Sequence, residues 1–344
     1  MFRPKYTITN KLLANIKKIS SIIIELNNRR FQKVVLYKLE KKAREISTYT
    51  STSIEGNPLS LTDVKQILKN KPENLRDSEQ EIINYNDILE ELSINLKERS
   101  IDLDLDMILS VHRKIVNKLI PKYQIGKLRK EPVFVNDPKT GETIYWPPDH
   151  GEMSGLIKDL LEFIKNNKGI IDPLIVAGIF HKQFVVIHPF MDGNGRTARI
   201  CTKIIMADMG LDTFNLFSFE NYYNRNVTNY FNTVGVSGNY YDMADTLDFT
   251  EWLEYFTNGI IDELLRVKKL LISTSAGPAT ELFPHHEKII KFIEEKGFIT
   301  DKDYSKLTER AKATRSLDFK KLMDLDFIER KGKGRSTYYI LREK

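Results

Sequence analysis

Hydrophobic positions run almost without interruption from Leu174 to Ile187, through Ile175, Val176, Ile179, Phe180, Phe184 and Val185, the pattern of a helix buried on every side. Asp172-Pro173 marks its start, an N-cap followed by proline at the first helical position. A second apolar run, Ile200, Cys201, Ile204, Ile205 and Met206, predicts a partner helix that Gly210 stops. Upstream, amphipathic periods predict helices over Asn10 to Asn28 and Lys33 to about Ile54, and a capped start at Ser60-Leu61-Thr62-Asp63 leads into Val64, Ile67 and Leu68. Asn70-Lys71-Pro72-Glu73-Asn74 reads as a loop, and Thr250 to Phe256 as one more amphipathic helix. Two β-prone runs, Val133-Phe134-Val135 and Thr143-Ile144-Tyr145-Trp146, flank a Pro/Gly turn and predict a hairpin.

The clearest break is Ser273-Thr274-Ser275-Ala276-Gly277-Pro278-Ala279-Thr280, small and flexible in composition. It separates a last unit, in which helical patterns at Glu287 to Lys296, Asp301 to about Leu307 and Lys312 to Leu325 precede two β-prone runs around Lys331-Gly332-Lys333-Gly334-Arg335. The expected organisation is an N-terminal helical region (1–100), a catalytic core (101–272), a linker (273–281) and a small α+β domain (282–344). With 41% hydrophobic residues in 344 and no apolar run near 18 residues, neither a membrane span nor a signal peptide is expected. The lone Cys201, inside an apolar helix, excludes a disulfide framework, suits a reducing cytoplasm, and reads as a small buried hydrophobe.

Between the two apolar helices lies the chemistry: His188-Pro189-Phe190-Met191-Asp192-Gly193-Asn194-Gly195-Arg196-Thr197-Ala198-Arg199. Gly193 and Gly195 let the backbone aim its N–H groups at one point, an anion cradle to which the start of the second helix adds its positive dipole end. Arg196 and Arg199, three apart on that helix, share a face and can grip two phosphates with permanently charged forks. Asp192 is a hard oxygen ligand of the kind Mg²⁺ takes, and His188 titrates near neutrality, so it can accept a proton from an attacking hydroxyl. The set reads as hydroxyl attack on a magnesium-bound nucleotide.

These residues fill every position of the Fic family signature: His, any residue, Phe, any, Asp or Glu, Gly-Asn-Gly-Arg, any two, Arg. The chain therefore resembles that family, which is mostly helical with the motif between two central helices and usually transfers AMP from ATP to a Ser, Thr or Tyr hydroxyl of a protein. The resemblance implies a mainly α fold, a Fic-type helical bundle with a β-hairpin flap. It makes His188 the general base and Asp192 the metal ligand. Gly193, Asn194 and Gly195 become the α-phosphate cradle, Arg196 and Arg199 hold the outer phosphates, and Phe190 seats the loop. ATP and Mg²⁺ are the implied substrate and cofactor, and pyrophosphate the product.

Further expectations follow from the same resemblance. Ser51, Glu55 and Gly56 fit an inhibitory helix, N-terminal and built in, whose Glu55 pairs with Arg199 and leaves ATP bound with misplaced phosphates. The hairpin would be a flap that clamps the target by main-chain pairing at an exposed edge, with Ile144 and Tyr145 nearest the target. Tyr230 and Phe231 would line the adenine pocket. Residues 282–344 resemble a winged helix-turn-helix; they hold 16 Lys and Arg against 11 Asp and Glu, hence +5 of the chain's net +6. Thr314, Arg315 and Lys320 on the recognition helix, with the basic wing, suggest DNA, while such modules also dock proteins. Three functions stay open. One is an adenylyltransferase held off by Glu55 and able to modify itself; another is a remover of AMP, or a transferase with another nucleotide or phosphodiester donor; the last is a DNA-binding regulator that senses nucleotide. The motif does not separate the first two, the intact His188 argues against the last because pure binding needs no base, and a homodimer is compatible with each.

Overall fold

The computed structural model describes residues 2–29, 31, 33–98, 102–136, 140–275, 283–325 and 327–342. They form two compact units, Met1–Arg30 with Leu39–Lys269, and Phe31–Lys38 with Leu270–Lys344. Of the expected linker, 273–281, residues 276–281 lie outside the described residues.

The first unit is helical: α1 (Asn10–Asn27), α2 (Lys33–Ile54), α3 (Leu61–Asn70), α4 (Asp77–Glu98) and α5 (Leu105–Ile115) precede a small sheet, and α6 (Met153–Asn167) follows its first two strands. The core is α7 (Pro173–Ile187) against α8 (Asn194–Met206). Asp172 caps α7 through Leu174 N–H with Pro173 at the first position, as the sequence indicated, and nearly all of α7 is buried, each large apolar side chain contributing roughly 1.5–3 kcal/mol. After α9 (Glu220–Arg225), α10 (Val227–Val234) and α11 (Tyr240–Met243), the long α12 (Thr250–Ser275) closes over α7, where Trp252 Nε1 donates to Gly178 O at 2.7 Å. Residues 39–98, expected as a region apart, belong to this unit because Ile82, Tyr85 and Ile88 of α4 are buried in it and Asn84 Nδ2 donates to Ile115 O at 3.1 Å. Among the described residues no helix is long and apolar enough to cross a membrane.

The hairpin forms, as β1 (Val135–Asn136) and β2 (Thr143–Trp146); residues 137–139 lie outside the described residues. A third strand, β3 (Gly238–Asn239), pairs in parallel with β2 at Tyr145 and Trp146. β2 is thus central, and the free edges belong to β1 and β3.

The second unit carries α13 (Pro284–Lys296), α14 (Asp301–Leu307), α15 (Lys312–Asp324) and an antiparallel pair, β4 (Ile328–Lys331) with β5 (Tyr338–Leu341). Ile289, Ile293, Tyr304, Phe319 and Leu322 form its core. Asp318 is its polar hub: Tyr304 Oη and Arg310 Nε donate to it at 2.8 and 2.9 Å, and His285 and His286 stand 3.3 Å away. Arg315 is committed to Asp301 through two hydrogen bonds of 2.9 and 2.8 Å, so it does not offer a free fork as the sequence suggested.

Candidate functional site

The loop from α7 to α8 is held from four sides. His188 leaves α7 in the left-handed conformation, φ 52°, a region where non-glycine residues concentrate at functional sites. Its Nδ1 lies 3.2 Å from Val185 O, a contact in which only Nδ1–H can donate. The lone pair is then on Nε2, the form a general base needs. Burial holds the imidazole below its ordinary pKa; the Val185 carbonyl opposes this, Arg129 reinforces it, and the Glu55 and Asp192 carboxylates oppose it.

Phe190, fully buried, stacks on the ring of His112 at 3.7 Å and 4°. His112 Nδ1 accepts from Gly126 N–H at 3.0 Å, so its Nε2–H is the donor to Asp192 O at 3.1 Å. Burial pushes its pKa down to about 4, which fixes it as a neutral strut. Arg129 donates through its backbone N–H to Pro189 O at 2.9 Å, through Nε to His188 O at 2.8 Å and through Nη2 to Pro148 O at 2.5 Å. One guanidinium thereby fastens the motif to the chain leaving the hairpin. Asn194 spends its side chain on both backbone groups of Phe190, each at 2.9 Å. Any part it takes in a phosphate cradle is left to its backbone N–H.

Gly193 precedes α8 with φ 78°, and a Cβ there would come within 2.7 Å of Val116 Cγ1. No side chain caps α8, which leaves its first N–H groups able to receive an anion. Arg196 reaches Glu81 Oε1 with Nη1 at 2.6 Å and Asp192 with Nη2 at 3.0 and 3.1 Å. Arg199, fully buried, donates from Nε to Ser51 Oγ at 2.7 Å, and from Nη2 to Ser51 O at 2.9 Å and Glu55 Oε1 at 2.7 Å. Burial, the largest single influence, works against its charge, but the Glu55 carboxylate and the Tyr230 and Tyr85 hydroxyls together raise its pKa. Two donors, Arg196 Nε and Arg199 Nη1, are buried and meet no acceptor among the described residues. A Cβ on Gly195 would lie 2.3 Å from Glu55 Oε1, so the Glu55 carboxylate sits directly over the first turn of α8.

His188, Asp192, Gly193, Gly195, Arg196, Arg199, Ser51 and Glu55 are thus brought to one place, with Gly56 in the turn that follows α2. Two expected residues stand differently. Tyr145 faces inward, 3% exposed, its hydroxyl donating to Val186 O at 2.8 Å, because side chains alternate along β2; Ile144 and Trp146 are the outward pair. Tyr230 is a core residue, stacked on Tyr223 at 4.5 Å and bonded to His181 Nε2 at 3.0 Å, and cannot also stack on a base. Phe231, beside it, is exposed. Sequence reading missed His112, Arg129 and Glu81. His112 carries a faint signal, a histidine in the apolar stripe Ile108, Val111, Ile115; the others carry none.

Residues 102–206 match the model of the Fic/DOC family. That stretch of the chain therefore resembles a Fic domain. It is similar to the protein adenylyltransferase Fic of Aedes aegypti, 26% identical over 220 residues, covering 58% of this chain and 42% of that protein. It is also similar to protein adenylyltransferase fic-1 of Caenorhabditis elegans, 29% identical over 180 residues, covering 51% and 34%. The chain thus spans less than half the length of these curated relatives. A Fic family protein from Desulfovibrio desulfuricans G20 shares the fold, with a TM-score of 0.64 at 20% identity over 99% of this chain and 98% of that one.

Proposed function

We propose that this chain transfers AMP from ATP to the hydroxyl of a protein side chain and that Glu55 restrains the reaction. The observation that carries the reading is the pair of buried, acceptorless donors, Arg196 Nε and Arg199 Nη1, at the uncapped start of α8. Such donors cost free energy unless an anion takes them. Beside them His188 offers Nε2 as a base. In the reaction His188 Nε2 accepts the hydroxyl proton, the hydroxyl oxygen bonds to the α-phosphorus, and the bond to the departing pyrophosphate breaks. The two guanidiniums and the α8 N–H groups hold the phosphate charge. The named relatives, both protein adenylyltransferases, support the same reading.

Asp192 fits a Mg²⁺ site: its side chain is 52% exposed, and an ion bridging phosphates needs only one or two protein carboxylates. Bound there, Mg²⁺ would offset phosphate charge. Glu55 restrains transfer because its carboxylate uses a fork of Arg199 and stands over Gly195, where phosphate oxygens would otherwise be received. Incubating Glu55→Gly protein with labelled ATP and Mg²⁺ tests the proposal. Incorporated label, identified as AMP by mass spectrometry, is the expected result. Label absent from both the protein and a cell lysate refutes it, and release of AMP from a modified protein would favour the reverse reaction.

We also infer that 282–344 is a winged helix: three helices followed by an antiparallel pair, tied to the preceding segment by the Ile299–Tyr339 bridge. Exposed Lys312, Lys320, Lys331 and Lys333 favour a polyanion partner. A salt-dependent shift with random duplex supports DNA, and no binding at low salt excludes it.

A further inference from the structure

Arg196 stands between two acids that are not alike. Asp192 is half exposed, on the loop; Glu81 is 13% exposed on its side chain and comes from α4, anchored by buried Ile82 and Tyr85. The other oxygen of Glu81, Oε2, accepts from Asn57 Nδ2 at 2.6 Å, and the same amide donates to Ser78 O at 2.9 Å. Asn57 lies two residues beyond Glu55. Glu81 is therefore a fixed partner of Arg196, and Asp192 an exchangeable one.

Both carboxylate oxygens of Asp192 are engaged by Arg196 Nη2, and Oδ1 also accepts Gly193 N–H at 2.6 Å. For Asp192 to serve a divalent cation, the guanidinium has to let it go without leaving the site. Glu81 makes that possible. It holds Nη1 in place, so Arg196 keeps its position at the start of α8 while Nη2 and the acceptorless Nε are released toward phosphate. With a neutral side chain at position 81, Asp192 would be the one remaining ion-pair partner of Arg196 among the described residues, and the cation would compete with a full ion pair.

Resting on the nucleotide reading above, we propose that Glu81 is a positioning residue. It anchors Arg196 so that Asp192 remains open to a divalent cation, and Asn57 ties this anchor to the segment that carries Glu55. The proposal assigns Glu81 to the cation dependence of nucleotide binding, with no contact to the reacting atoms.

The test measures ATP binding by calorimetry as Mg²⁺ is titrated, in the Glu55→Gly background. Glu81→Gln should raise the half-saturating Mg²⁺ about tenfold, the scale of one charged hydrogen bond. Asn57→Ala, which loosens Glu81 without touching Arg196, should shift it in the same direction by less. Glu79→Gln, two residues from Glu81 on the same helix but paired to exposed Arg76, is the control and should not shift it. Should Glu81→Gln fail to fold, Asn57→Ala decides alone. Unchanged Mg²⁺ dependence in the folded variants overturns the proposal while the parent still binds ATP. A parent that binds no ATP at any Mg²⁺ concentration overturns the nucleotide reading, and this inference with it.

Discussion

Oε1 of Glu55 lies 2.7 Å from Nη2 of Arg199, across 144 residues of chain, and the guanidinium it meets has no exposure to solvent. On the function proposed above, the pair is structural support and restraint at once. Removing the acid strands a buried positive charge and, on that reading, frees a phosphate grip.

Glu55→Gly should therefore lose stability while gaining nucleotide affinity and transfer. Breaking a buried ion pair from one side costs about 3–5 kcal/mol when both partners are dry; Glu55 keeps 26% of its side chain exposed, so the expected loss is about 1–3 kcal/mol. Thermal melting with and without Mg-ATP checks this, because the ligand should restore much of the lost melting temperature. A variant as stable as the parent and indifferent to nucleotide would refute it.

His188→Ala in that background should abolish transfer and leave ATP binding nearly intact. The base must be neutral, and burial lowers its pKa, so it stays competent below the ordinary imidazole value of 6.5. The acidic limb of kcat/KM should accordingly have its midpoint under 6.5, provided chemistry limits the rate. A midpoint above that value contradicts the environment assigned to His188.

His112 should make the fold acid-sensitive. Its pKa falls from 6.5 unfolded to about 4 folded, so the unfolded state binds the extra proton between those values. The stability it contributes is complete above about pH 6.5 and is lost as pH falls toward 4, by a few kcal/mol in order of magnitude. His112→Ala should flatten that part of the stability curve and also lower the ceiling, through the lost stack on Phe190. Urea melts at stepped pH measure both.

Gly195→Ala places a methyl group 2.3 Å from Glu55 Oε1 and 3.1 Å from Arg199 Nη1. The carboxylate must move, yet the methyl then occupies the space it vacates. Combined with Glu55→Gly, the alanine should cut transfer at least tenfold relative to Glu55→Gly alone, on the scale of a misplaced reacting group. Equal rates would show that this spot is not used by substrate.

The central pair of helices and the motif loop were legible because every local signal agrees there: the Asp172-Pro173 start, an all-round apolar stretch, glycines at the turn, arginines three apart. Ser51 and Glu55 were legible only through a resemblance, since their partner Arg199 is remote in sequence. Tyr145 and Tyr230 went astray for a common reason. An aromatic residue's type does not reveal which face of a strand or helix it occupies, and β3, a two-residue strand with no pattern of its own, makes β2 central. Glu81, Arg129 and His112 act through backbone carbonyls and charges brought by other elements, which leaves no trace in local spacing.

Asn194, His112 and Arg129 tie the loop down with bonds made by the protein itself. On the proposed function an incoming nucleotide would surrender its own freedom while the protein loses little backbone entropy. Recognition at this end should be governed by how fast Glu55 yields rather than by how long the loop takes to find its shape.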